Sequence, residues 1–285
     1  MHPVLRALSW RSTAAVRTLR GFGQRNKLVV EDVELTSTAG YRLVARRIRP
    51  SGGGRHPGVV VSPAIHQGID ALLGTVAVVN AMEIAALGYT VLIHDPAGRG
   101  GSWGEEDFGG AEHQDDLRVA IRALAAHPSC TGRVGVLALS LGIAAAVGAL
   151  TGDGASLPVD WLVDWEGPCD REIITAGGTM LVPAAGHTLN DEAWWRPREA
   201  VRGVPALHCG YVRLQAFPDH AQPDELRHSR RMITAAAAGK LPWFQLNDHP
   251  RGERPERPHW IAGGPRAANA AILAKLRALR GAEHA

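Results

Sequence analysis

One serine stands between an apolar strand pattern and an alanine-rich helix pattern, where the sequence could perform covalent chemistry. Residues 134–139 are short, apolar and tolerant of β structure, whereas residues 143–150 favour a helix. The turn between them, residues 138–142, reads A-L-S-L-G, the form small-x-Ser-x-Gly. Small residues permit a strand to turn sharply into a helix, which would hold the Ser140 hydroxyl at the edge of a sheet. Ser140 is therefore a candidate nucleophile, and a buried serine between a core strand and a core helix is the alternative.

A serine hydroxyl becomes reactive when a histidine takes its proton and a carboxylate holds the imidazole in one tautomer. Asp219 lies in the loop after the seventh predicted strand of the sheet, and His249 directly follows the eighth. We predict Ser140 as nucleophile, Asp219 as acid and His249 as base. Glu166, which ends the strand beside that of the serine, is the alternative acid, and His220 is the alternative base.

The same turn predicts a site that binds a negatively charged oxygen. The backbone N–H of Leu141 follows the serine and points where an oxyanion could sit. A second N–H comes from the loop after the third predicted strand, residues 63–66. Ile65 is the predicted donor in this loop, and Ala64 and His66 are its neighbours.

Strand and helix patterns alternate along the chain, which predicts a mostly parallel sheet of eight strands with helices on both faces. The first two strand patterns, 28–35 and 41–48, predict an antiparallel hairpin or a pair of edge strands, and a helix is expected from about 70 to 87. Residues 169–200 lack a clear period and are interpreted as a small cap insertion within one domain, 28–285. The candidate site residues fall at strand ends, which favours an enzyme.

Composition excludes several classes of protein. Lys and Arg total 31 against 28 Asp and Glu, and the resulting +3 is mostly interspersed, so a nucleic-acid partner is not expected. The 3 cysteines are scattered and lack metal-ligand spacing, which fits a reducing cytoplasm. The spacing of His, Asp and Glu predicts no metal site.

The N-terminal residues 1–27 are basic and contain no acidic residue. They are interpreted as a basic arm or a surface helix, and a mitochondrial transit peptide is the alternative. The uncharged run 134–150 is shorter than the roughly 20 residues of a membrane span and changes character at Ser140, so no integral membrane segment is predicted.

Taken together, these motifs resemble the α/β-hydrolase fold, and most of all its branch of dienelactone hydrolases and prolyl and X-Pro dipeptidyl peptidases with their esterase relatives. The resemblance rests on Asp95-x-x-Gly-Arg-Gly-x-Ser-x-Gly after the fourth strand, on the Ser140 turn, and on Asp219 followed by His249. It covers about 29–279. It implies hydrolysis of an ester or amide through an acyl-enzyme, with no cofactor.

The first hypothesis is thus a serine hydrolase that cleaves a carboxylic ester, with an amide or lactone as the other substrate classes. Its small-molecule or peptide substrate would meet a pocket shaped by Trp103, Trp165, Trp194 and Trp195. The second hypothesis is a catalytically degenerate member of the fold that binds a ligand or a partner protein. It would apply if no imidazole reached Ser140.

Overall fold

A twisted sheet with helices on both faces forms the body of the protein. The computed structural model describes residues 16–20, 27–176, 186–221 and 226–282. The strands are β1 (Val16–Arg20), β2 (Lys27–Thr36), β3 (Arg42–Pro50), β4 (His56–Ser62), β5 (Thr90–His94), β6 (Cys130–Leu139), β7 (Val159–Trp165), β8 (Gly210–Leu214), β9 (Ala216–Phe217), β10 (Phe244–Leu246) and β11 (Ile261–Ala262). The α-helices are α1 (Ile69–Leu73), α2 (Ala81–Ala86), α3 (Ala111–Ala125), α4 (Gly142–Leu150), α5 (Arg171–Ala176), α6 (Glu192–Trp195), α7 (Ala200–Gly203), α8 (Arg227–Ala238) and α9 (Pro265–Ala282).

The main sheet has nine strands in the order β1-β2-β3-β5-β4-β6-β7-β8-β10. The pairs from β5 to β10 are parallel, and β1, β2 and β3 join them as antiparallel strands. β9 and β11 pair separately, in parallel. The predicted fold class is confirmed, and the predicted antiparallel hairpin is β2–β3.

Alternation along β6 explains why helices cover both faces. Val136 and Ala138 pack in one apolar cluster, with residues of α3, α4 and α8. Leu137 and Leu139 pack in a second cluster, with residues of α2 and α9. Because successive side chains of a strand point to opposite faces, a strand buried on both faces must be apolar throughout.

Two elements differ from the expectation. The sheet has one strand more than predicted, because Val16–Arg20 pairs with β2; the rest of the predicted basic arm or helix, 1–15 and 21–26, lies outside the described residues. The helix expected over 70–87 is divided into α1 and α2. Asn80 stabilises the break, since its side chain caps α2 and donates to the carbonyl oxygens of Leu73 and Gly74 at 2.8 and 3.0 Å.

No helix in the described ranges is both long enough and apolar enough to cross a membrane.

A buried ion pair joins the carboxyl ends of β7 and β8. Arg213 and Asp164 are register partners on these strands, their side chains are 0% exposed, and an Arg213 Nη1 to Asp164 Oδ2 distance of 2.7 Å joins them. The hydroxyl of Tyr211 donates to the same oxygen at 2.6 Å. Arg213 also donates to the carbonyl of Gly167 and to the side-chain oxygen of Gln215, each at 2.5 Å. Burial opposes the charge of Arg213, but Asp164 outweighs it and keeps the pKa of the guanidinium above its ordinary value.

We predict that Arg213→Met lowers the free energy of unfolding by about 3–5 kcal/mol, because it leaves the Asp164 carboxylate buried without its cation. Urea unfolding followed by circular dichroism measures this. The matched control is Arg133→Met, which breaks the Arg133–Asp160 pair, whose arginine side chain is 64% exposed. The control should change the free energy by less than about 1 kcal/mol. Equal losses in the two variants would contradict the prediction.

Candidate active site

Ser140 lies on the turn between β6 and α4, in a backbone conformation that side chains rarely adopt. Its φ is 50°, in the left-handed region, and its backbone N–H donates to the carbonyl of Trp165 at 2.9 Å. Non-glycine residues in this region are strained and concentrate at functional sites. The hydrogen bond to β7 helps to hold the half-buried Ser140 in this strained conformation at the carboxyl edge of the sheet.

The second small residue of the turn explains how closely α4 approaches the sheet. A Cβ at Gly142 would lie 2.5 Å from the carbonyl oxygen of Ser62 and 2.7 Å from that of Pro63. Both are backbone atoms, so a side chain at Gly142 would force the turn away from the end of β4. This contact brings the serine turn beside the loop that follows β4.

One imidazole connects the serine to a carboxylate. The Nε2 atom of His220 lies 3.1 Å from Ser140 Oγ, and its Nδ1 lies 2.7 Å from Glu166 Oε2. Glu166 directly follows β7, is 1% exposed and has a φ of 48°. The His220 side chain is 41% exposed. The arrangement therefore has a buried carboxylate, an imidazole and a hydroxyl in sequence, with the imidazole accessible from outside.

His249, the predicted base, lies elsewhere. Its ring Nε2 accepts a hydrogen bond from the backbone N–H of His259 at 3.2 Å, and the two histidine rings pack 5.6 Å apart between centroids. The position beside Ser140 is taken by His220, the alternative base of the sequence prediction. The loop of His220 follows β9, and the backbone N–H of Ala216 in β9 donates to Glu166 Oε1 at 3.0 Å, so the loop begins beside the end of β7.

Asp219, the predicted acid, lies beside the imidazole but is not its nearest carboxylate. Its Oδ1 is 3.5 Å from His220 Nδ1 and accepts the backbone N–H of Ala221 at 2.8 Å. Its Oδ2 accepts a side-chain N–H of Gln215 at 2.7 Å and lies 3.2 Å from Nε2 of His228. The shorter contact to His220 belongs to Glu166, the alternative acid of the sequence prediction.

The side chain of Gln215 donates hydrogen bonds to both carboxylates. Its side-chain nitrogen donates to Asp219 and, at 3.3 Å, to Glu166 Oε1, which also accepts the backbone N–H of Ala216 at 3.0 Å. The side-chain oxygen of Gln215 accepts from Arg213. Sequence reasoning missed Gln215 and Arg213 as site residues. A buried charge pattern inside apolar strands, V-D-W in β7 and V-R-L in β8, is the signal that could have found Arg213.

The surroundings of His220 favour the protonated ring. Partial burial opposes the charge, but the hydrogen bond and negative charge of Glu166, together with the charge of Asp219, outweigh burial. The pKa of His220 is therefore raised above its ordinary value near 6.5.

The two carboxylates and the imidazole beside Ser140 could also bind a metal ion. Glu166, Asp219 and His220 each offer a ligand atom, and these atoms lie within 4.8 Å of one another. The Nδ1 atom that would bind a metal is the one that contacts Glu166. A metal there would therefore replace the contact that orients the imidazole toward Ser140.

The two predicted oxyanion donors, Leu141 and Ile65, belong to segments that lie against each other. Leu141 and Ile65 line one small cavity with Gly142, and their side chains pack in one apolar cluster. Within the part of the chain that the structure describes, neither backbone N–H has a protein acceptor. Unpaired N–H groups at such a place are suited to bind an anionic oxygen.

An apolar cluster lies between the serine turn and the segment after β7. Leu141, Ala144, Ile174 and Trp195 are its buried members, and Ile65, Phe108 and Trp194 are partly buried against them. Among the predicted pocket tryptophans, Trp194 and Trp195 belong to this cluster. Trp165 packs in the core of the sheet, and Trp103 is 64% exposed.

The sequence was compared with known families and proteins. The sequence model of the X-Pro dipeptidyl-peptidase family, S15, matches residues 39–244. No curated protein sequence is significantly similar to the chain.

Solved structures share the fold at low sequence identity. An esterase from Pyrococcus furiosus is 15% identical, with a TM-score of 0.62 over 88% of this chain and 89% of its own. An acetyl xylan esterase from Paenibacillus sp. R4 is 14% identical, with a TM-score of 0.59 over 94% and 89%. The 2,6-dihydroxy-pseudo-oxynicotine hydrolase is 15% identical, with a TM-score of 0.64 over 88% and 67%. The chain is similar to all three in fold.

We predict that the pKa of His220, measured by NMR titration of histidine-labelled protein, lies above 6.5 and falls in Glu166→Gln. The amide removes the negative charge, so burial then favours the neutral ring. Asp32→Asn, on the exposed side of β2, is the control and should leave the titration unchanged. A His220 titration that does not move in Glu166→Gln would contradict the assignment of Glu166 as its main partner.

Proposed function

The chain belongs to the X-Pro dipeptidyl-peptidase family, S15, and from this membership and the geometry at Ser140 we propose that it is a serine hydrolase that cleaves esters or peptides through an acyl-enzyme. The observation that carries the proposal is the His220 ring, which contacts Ser140 Oγ and Glu166 at its two nitrogens. The family match spans most of the chain and includes both the serine turn and the His220 loop.

In the proposed reaction, Ser140 Oγ attacks the substrate carbonyl carbon while His220 Nε2 takes the hydroxyl proton. Glu166 accepts the Nδ1–H, which leaves Nε2 free to accept that proton and stabilises the imidazolium that forms. The tetrahedral intermediate then collapses, the C–O or C–N bond of the leaving group breaks, and His220 gives the leaving group its proton. A water molecule, deprotonated by His220, releases the acyl group and restores the Ser140 hydroxyl.

The negative charge of the tetrahedral intermediate needs donors that are already in place. We assign this role to the N–H groups of Leu141 and Ile65, which lack protein acceptors in the described ranges. Loss of one such donor costs about 3 kcal/mol of transition-state stabilisation.

A degenerate binding protein is the alternative that the sequence left open. That alternative required that no imidazole reach the serine. The His220 ring lies 3.1 Å from Ser140 Oγ, so the condition for this alternative is not met, and we favour catalysis.

The surroundings indicate an apolar acyl group or side chain in the substrate. Phe108, Ile65 and Trp194 are partly buried beside Leu141, the proposed oxyanion donor. Apolar walls with few polar groups suit a small-molecule ester or an uncharged peptide side chain. We propose that 169–200 forms a cap over this group. Its described parts, 169–176 and 186–200, include α5, α6 and the buried Trp195, and 177–185 lie outside the described residues.

We further propose a cytoplasmic location and no nucleic-acid partner. The 3 cysteines are free and buried, as expected in a reducing compartment. The net charge of +3 supports neither a basic groove nor a basic face.

We predict that a labelled fluorophosphonate attaches to the wild-type protein at Ser140 and does not attach to Ser140→Ala. The reagent requires an activated serine, and mass spectrometry of the digested protein locates it. Ser51→Ala, at an exposed position, is a control that keeps Ser140 and should be labelled. Labelling of Ser140→Ala would remove Ser140 from the mechanism, and no labelling of the wild type would favour a binding protein.

We predict that His220→Ala lowers kcat for p-nitrophenyl acetate by a factor on the order of 10⁴ or more, because Ser140 loses its base. His249→Ala is the matched control, since His249 contacts His259, and its kcat should stay within about twofold. Circular dichroism checks that both variants fold. The reverse pattern, with activity lost in His249→Ala alone, would return the base to the later loop.

A further inference from the structure

The loop that carries the Ile65 donor is a tight turn. The backbone N–H of Gln67 donates to the carbonyl of Ala64 at 3.0 Å, so 64–67 forms a four-residue turn. His66, its third residue, has a φ of 57°, whereas Ile65, its second, does not have a positive φ. This combination is typical of a type II turn.

Arg99 holds this turn from one side. One guanidinium nitrogen, Nη1, donates to the carbonyl oxygens of Ala64 and Gln67 at 2.9 and 3.1 Å. The other two nitrogens form a bidentate pair with Glu106 at 2.6 and 2.8 Å. The Arg99 side chain is 8% exposed. Burial raises the pKa of Glu106, but Arg99 outweighs it and holds that pKa below its ordinary value, which favours the carboxylate form of Glu106.

Planarity of the peptide bond transmits this contact to the neighbouring residue. The carbonyl of Ala64 and the N–H of Ile65 belong to one peptide group, and in a trans peptide they point in opposite directions. Because Arg99 fixes the Ala64 carbonyl, it also fixes the Ile65 N–H, which faces away from the guanidinium. Among the residues that the structure describes, this N–H has no protein acceptor, as is also true of the Leu141 N–H in the serine turn.

The glycine-rich segment 95–104 supports the same turn. One carboxylate oxygen of Asp95 accepts the N–H of Ile69 at 2.7 Å, and the other accepts the N–H of Gly101 at 2.9 Å. Gly100 has a φ of 50°, and a Cβ there would lie 2.2 Å from Asp95 Oδ2. Glycine is therefore needed for Arg99 to reach the turn while Asp95 holds both segments.

We propose that Arg99 is a positioning residue for the reaction, which aims the Ile65 N–H at the oxyanion by holding the other side of the same peptide group. The inference rests on the proposed function, and it gives a role to the arginine of the Asp95–Gly104 motif. All three guanidinium nitrogens of Arg99 are bonded to Glu106, Ala64 or Gln67, so its proposed action on the reaction passes through the turn.

The test removes the donor and its positioning residue separately and together. Ile65→Pro deletes the N–H while suiting the turn, because proline is favoured at the second position of a type II turn. Ile65→Ala keeps the N–H and removes the side chain. Arg99→Met removes the contacts to the carbonyls, and Arg99→Lys keeps the charge and one donor. Arg47→Met is the matched control for loss of an arginine, because it breaks a mostly buried pair between Arg47 of β3 and Glu31 of β2.

We expect kcat for p-nitrophenyl acetate to fall by about 10²- to 10³-fold in Ile65→Pro. In Arg99→Met it should fall by about 10-fold or more, with KM within about threefold, and Arg99→Lys should recover part of the loss. Affinity for a trifluoromethyl ketone, which forms a tetrahedral oxyanion adduct, should fall in parallel with kcat/KM. Arg47→Met should keep kcat within about threefold. Ile65→Ala measures the loss of the side chain alone, so the effect of the missing N–H is the further fall in kcat from Ile65→Ala to Ile65→Pro.

The decisive variant combines Ile65→Pro with Arg99→Met. If Arg99 acts through the Ile65 N–H, the second substitution should change kcat by less than about threefold in the Ile65→Pro background. Full multiplication of the two effects would overturn the proposal, as would unchanged kcat in Ile65→Pro or in folded Arg99→Met or Arg99→Lys. Turnover that persists in Ser140→Ala would instead overturn the proposed function itself, so the two failures are distinguishable.

Discussion

The site depends on a charge pair buried between two parallel strands. Asp164 and Arg213 are fully buried, so each charge requires the other, and a shift of β8 along β7 would separate them. Arg213 also holds Gln215, whose amide holds Glu166 and Asp219. The register of two strands thus sets the positions of two carboxylates. The buried Asp164–Arg213 pair at the carboxyl ends of β7 and β8 is therefore linked through Gln215 to the carboxylates beside Ser140.

The base comes from the loop that follows β8 and β9. β9 pairs with β11 beyond the end of β8, and the chain then turns so that His220 stands between Glu166 and Ser140. The loop after β10 has another task, since the Asn247 side chain binds both backbone groups of Gln215. The loop after β10 therefore fixes the backbone of Gln215, and it does not supply the base.

Local patterns made much of the fold predictable from the sequence. The apolar run 134–139, the small residues around Ser140 and the alanine-rich run 143–150 predict β6, the turn and α4, because strand, turn and helix signals are properties of a few adjacent residues. The break between α1 and α2 was missed, since it depends on the Asn80 side chain bonding across it. His249 was preferred over His220 by order along the chain. The path that brings His220 to Ser140 depends on strand pairing far away in sequence, which no local pattern contains.

The central claim is that His220, tuned by Glu166, takes the Ser140 proton. The pH dependence of kcat/KM for an ester tests it most directly, because the base acts only when neutral. A raised pKa places the rise of kcat/KM above pH 6.5 in the wild type, and Glu166→Gln should move that rise to lower pH while lowering the plateau. A rise that keeps its position in Glu166→Gln would show that a different group controls the serine, and would contradict the account.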